Sequence, residues 1–75
     1  MSPASRRVAE SVFGDVRIST VEIPLHRGIG LLPYETMVFG GDHDQCCWRD
    51  ATESEAVARH AEVVEFIKMW PQPSK

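Results

Sequence analysis

The clearest hydrophobic pattern in the chain runs Ala56, His60, Val63, Val64, Ile67, with spacings of four, three, one and three that trace one stripe of an α-helix. Thr52 with Glu55 three residues later is a capping box, in which each side chain answers a backbone N–H that the first turn leaves unpaired. Glu53, Glu62 and Glu65 lie off the stripe, and Pro71 with Pro73 stops the helix. The predicted element is therefore Glu53 to Trp70, spanning about 27 Å at about 1.5 Å per residue, with 71–75 as a tail.

Upstream the period changes from 3.6 to 2. In Tyr34-Glu35-Thr36-Met37-Val38-Phe39, the residues Tyr34, Thr36 and Val38 face one way and Glu35, Met37 and Phe39 the other. Gly40-Gly41-Asp42-His43-Asp44-Gln45 is turn chemistry, and Cys46 to Arg49 resumes an extended pattern, so the two strands form an antiparallel hairpin leading straight into the helix. Val16 to Pro24 is rich in β-branched residues but breaks alternation, with Val16 and Ile18 on one parity and Val21 and Ile23 on the other. A bulge near Ser19-Thr20 would return both pairs to one face. Leu25 to Pro33 reads as a loop, and its Gly28-Ile29-Gly30 lacks the third glycine and following helix of a dinucleotide fingerprint.

The amino-terminal segment is ambiguous. Ser2 as cap, Pro3 at the first helical position and Val8, Val12 and Phe13 on one side fit a short helix over the first thirteen residues, while a flexible arm or part of a strand fits the same residues. Gly14-Asp15 is a turn. The fold class that follows is α+β: a small antiparallel sheet of about three strands with one long carboxy-terminal helix across one face. The other face then needs a second cover, from the amino-terminal segment or another subunit.

Composition sharpens that need. Seventy-five residues form one domain, and a core of this size rarely supplies more than about 3–5 kcal/mol without a staple, a metal or a partner. Self-association is the expectation. No apolar run has the roughly 18–20 residues of a membrane span, and the start Met-Ser-Pro-Ala-Ser-Arg-Arg has no secretory apolar core, which predicts a cytoplasmic location. Residues 1–34 carry four arginines and three acids, residues 35–75 four basic groups and eight acids, for a total of −3. The half with the clearest fold is thus acidic, which argues against nucleic acid as partner.

The densest collection of metal-capable side chains is Asp42, His43, Asp44, Cys46 and Cys47, but it lacks the paired C-x-x-C or spaced His pair that brings ligands to one tetrahedron, and a polar hairpin tip is the plainer reading. Neighbouring residues on an extended strand point to opposite faces. A Cys46–Cys47 disulfide is therefore not expected, and one thiol is expected in the core. Neither cysteine has a sequence feature that would activate it as a nucleophile. No cofactor and no catalytic residue is expected, and the chain reads as a non-enzyme. His60, within the apolar stripe, reads as a hydrogen-bonded core histidine, with a pH-sensing or ligand-contacting role as the sharper alternative. Tyr34, Thr36 and Val38 on one face of the hairpin, and Trp70 at the helix end, are the candidate interface residues, because aromatic anchors dominate interface energetics.

Tyr34-Glu35-Thr36-Met37-Val38-Phe39, followed by Trp48-Arg49-Asp50-Ala51-Thr52, then Glu55-Ala56 and His60, resembles a family of small uncharacterised proteins encoded by actinobacterial phages. Those proteins pair a Glu-Thr-Met-Val-Phe strand with a later Arg-Tyr-Ala-Thr and a helix containing Glu-Ala and then Gly-His. The likeness covers residues 34–67. It departs at Asp50, where the family commonly has an aromatic residue, and at Arg59, where it commonly has glycine. The resemblance implies a phage or prophage product acting inside a bacterial host, either as an accessory protein binding itself or a host or phage protein, or as a virion or assembly component. A metal-binding role for residues 42–47 is the remaining alternative.

Overall fold

The two-residue turn Gly14-Asp15 joins the first pair of strands, β1 (Arg6–Phe13) and β2 (Val16–Glu22), with Phe13 opposite Val16 and Gly14 at a φ of 60°. Glycine reaches that left-handed angle without the Cβ penalty other residues carry, as a tight hairpin requires. The computed structural model describes residues 6–23 and 32–69. β2 pairs with β3 (Tyr34–Phe39), which pairs with β4 (Cys47–Asp50), giving a four-stranded antiparallel sheet in the order β1-β2-β3-β4. The last described element is α1 (Glu53–Met69), laid across one sheet face and touching all four strands.

The architecture is the expected α+β, with four strands instead of about three. The additional strand is β1, where a short helix or an arm was the alternative. Val8 and Val12 have helical spacing, but the Gly14-Asp15 turn folds the segment back on β2, and the sheet supplies tertiary partners that a short helix standing alone would lack. The irregularity expected near Ser19-Thr20 is absent from the β2–β3 ladder. It lies in β1, between Arg7 and Ala9, opposite Thr20-Val21. Val21 consequently stays on the face away from the helix, and Ile18 goes under it.

Between sheet and helix, Ile18, Val38, Val63 and Ile67 form the buried core, with Phe13, Val16, Trp48 and Val64 packed around it. The capping box is formed as predicted. Thr52 Oγ1 accepts from the Glu55 N–H at 3.2 Å, and Glu55 Oε1 accepts from the N–H groups of Ala51 and Thr52 at 3.2 and 3.3 Å. At the β3–β4 loop, the Asp44 carboxylate accepts from the Gly40 N–H at 2.6 Å and Gln45 takes a positive φ of 73°.

Candidate interaction surface

Alternation in β3 holds as predicted, but the face it presents to the helix corrects the interface expectation. Tyr34, Thr36 and Val38 are buried on the side that carries α1, Thr36 at 1% and Val38 at 0% exposure, so none of the three is available to a partner. Their cross-strand neighbours decide the matter: Val38 sits beside Ile18, and Thr36 beside Thr20 and Trp48, the side chains the helix covers. Trp70, the fourth candidate, lies outside the described residues, as do most of the Leu25–Pro33 loop and residues 71–75.

The opposite face is covered by no described element. It is built in cross-strand rows: Val12, Arg17 and Phe39; Glu10, Ser19, Met37 and Cys47; Arg7, Val21, Glu35 and Arg49. Val12 is 65% exposed and Phe39 36%. Arg17 lies over the Phe39 ring at 4.6 Å, an arrangement in which the guanidinium is attracted to the negative ring face. Glu10 bridges Arg7 at 2.7 Å and Arg17 at 3.3 Å, and Glu35 approaches Arg49 at 3.6 Å. The surface thus joins apolar side chains to guanidinium groups already held in place. Such a mixture suits a protein surface better than a small polar substrate.

Among the described residues, the covered face carries a buried polar network. His60 Nδ1 is 2.9 Å from Thr20 Oγ1, His60 Nε2 is 2.9 Å from Ser11 Oγ, and the Thr20 and Thr36 hydroxyls meet at 2.6 Å. Either tautomer satisfies the chain: a proton on Nε2 is donated to Ser11 while Thr20 donates to Nδ1, and the reverse assignment works equally. Burial penalises the charged ring and lowers the His60 pKa from its ordinary 6.5. The folded protein therefore resists a proton that the unfolded chain accepts. His60 should cost nothing above about pH 6.5, with stability lost as pH falls through that value towards the lower folded pKa. A melting temperature that declines between about pH 7.5 and pH 5.5 in the wild type, but much less in His60→Gln, is the expected result in thermal scans.

Asp50 and Arg59, the two departures from the resembled pattern, meet each other. Both Asp50 carboxylate oxygens accept from the Arg59 guanidinium at 3.3 Å, and Asp50 is 8% exposed. The pairing raises the already high Arg59 pKa. An aromatic residue above a glycine would fill the same place between β4 and the helix by packing. Asp50→Tyr and Arg59→Gly should each lower the denaturation midpoint, and the double variant should lose less than the sum of the two, a coupling that a double-mutant cycle reads directly.

The cysteine expectation is corrected too. Cys46 and Cys47 are both exposed and reduced, and neither is in the core, because Trp48 takes the inward position on β4. Cys47, paired with Met37, lies on the open face. In the 42–47 segment Asp44 serves the Gly40 N–H, and the His43 ring packs on Phe66 with centroids 5.0 Å apart. No three His, Cys, Asp or Glu side chains converge as a metal would need among the described residues. None of the described helices is long and apolar enough to cross a membrane.

Fold and surface together define a small α+β protein: four antiparallel strands, one covering helix and a charged-apolar face that no described element covers. No protein-family model matches the chain, and neither the curated proteins nor the solved structures give a match.

Proposed function

We propose that the protein is a non-enzymatic interaction module that associates with itself through the open sheet face, acting in the cytoplasm of a bacterial host as a phage or prophage accessory product. The observation that carries the reading is the pair of exposed apolar side chains, Val12 and Phe39, set among Arg7, Arg17 and Arg49 on a sheet face that no described element covers. The phage origin rests on the sequence resemblance over residues 34–67.

The size of the face sets the strength of the contact. Four strands about 4.8 Å apart and about six residues long present roughly 400 Å², half of the about 800 Å² that each side of a standard stable interface buries. Association should accordingly be weak and reversible, in the micromolar range or above. Sedimentation of the wild type across that range should show a mass above 8.4 kDa that grows with concentration. Val12→Thr/Phe39→Thr, which places a residue of high strand propensity at both positions, should remain at the monomer mass with an unchanged circular-dichroism spectrum. A wild type that stays monomeric and captures no host or phage protein would remove the support for this reading.

A further inference from the structure

We infer that the open sheet face of one copy is covered by the outward face of the helix of the next copy, so that the chain assembles head to tail. The inference rests on the self-association reading and assigns the occupant of the face.

Charge complementarity favours the helix. The open face holds three arginines and two glutamates, whereas α1 carries four glutamates against Arg59 and Lys68. Ala56, His60, Val63 and Ile67 face the helix's own sheet. Glu65, two positions from both Val63 and Ile67, points away from it at about 100° per residue, with Glu62 and Met69 on the same outward side. Met69 is 77% exposed and the Glu62 side chain 73%. Docked on a neighbour, that side would set Glu62 and Glu65 against Arg17 and Arg49, and Met69 against Val12 or Phe39.

Dimensions agree. The helix, about 25 Å long at about 1.5 Å per residue, already crosses the inner face of a sheet about 19 Å wide, and the outer face of that sheet has the same width. Stacking two open faces on each other would instead bury ten charged side chains, five from each copy, with the desolvation cost that entails. The outward side of α1 and the open sheet face lie on opposite sides of the fold, so one neighbour cannot meet both and the contact does not close at two copies. It generates a ring where the rotation closes and a filament where it does not.

Charge reversal tests the assignment. Arg17→Glu/Arg49→Glu and Glu62→Arg/Glu65→Arg should each weaken assembly about tenfold or more, while all four changes in one chain should restore growth beyond the dimer, with circular dichroism establishing that every variant is folded. If the helix pair alone assembles like the wild type while the sheet pair does not, the face is used but a helix does not cover it. That result overturns the head-to-tail assignment and leaves the interaction reading standing. A folded quadruple variant that fails to assemble also overturns the assignment, and a wild type that is monomeric at every concentration overturns both.

Discussion

Ile18→Ala is expected to leave most of the protein unfolded at room temperature. Ile18 is fully buried at the middle of β2, beside Val38 and in one cluster with Val63 and Ile67, and truncating it removes the transfer energy of three carbons and leaves a cavity in the core. Such substitutions cost about 2–5 kcal/mol. A single core in a chain this short supplies about 3–5 kcal/mol in total, so one change consumes most of the stability. Far-UV circular dichroism should lose the helical signal, since Val63 and Ile67 of α1 pack on the core that Ile18 completes, while Val57→Ala, half exposed on the helix, should leave the spectrum and midpoint nearly unchanged.

Gly40→Ala should be almost as damaging for a different reason. Gly40 has a φ of 91°, and a Cβ added there would collide with the backbone carbonyl of Asp15 in the neighbouring β1–β2 turn. Backbone strain of this kind costs about 1–3 kcal/mol, and overpacking against an atom that cannot swing aside adds about 1–3 kcal/mol more. The two hairpin ends would have to separate. Because Gly40 also donates to Asp44, that movement would loosen the β3–β4 loop, and chemical denaturation should show a midpoint well below that of Gly14→Ala, where a Cβ meets nothing and only the φ is unfavourable.

The parts of this fold that were legible in the sequence are those set by neighbours along the chain. The capping box, the helical stripe and the β3 alternation each depend on residues within about one or two turns, and each stands as read. β1 was ambiguous because Arg-Arg-Val-Ala-Glu-Ser-Val-Phe favours neither period, and pairing with β2 decides its state. The irregularity went to β1 instead of β2 because the central strand, hydrogen-bonded on both sides, tolerates a disrupted ladder less well than the edge.

The side of β3 that the helix covers was not legible for a related reason: Tyr34, Thr36 and Val38 are buried beneath α1. Parity separates Tyr34, Thr36 and Val38 from Glu35, Met37 and Phe39, but it does not say which set meets the helix, and both sets contain large apolar groups. His60 held the signal. A histidine in the buried stripe needs polar partners from the sheet, and the two hydroxyls of β3, Tyr34 and Thr36, share one parity; Thr36 reaches His60 through the Thr20 hydroxyl. Following that requirement would have put Thr36, and with it Tyr34 and Val38, beneath α1, leaving Met37 and Phe39 outward.

The two exposed thiols give the most direct measurement of whether the open face is a contact. Cys47 lies on that face and Cys46 in the loop beside it, so single-thiol proteins made with Cys46→Ser or Cys47→Ser report the two places separately. The reaction of each with a thiol-specific reagent is followed from micromolar to near-millimolar protein. A Cys47 rate that falls as the protein is concentrated, beside a Cys46 rate that does not change, is the predicted result; equal and constant rates for both thiols across the whole range would contradict it.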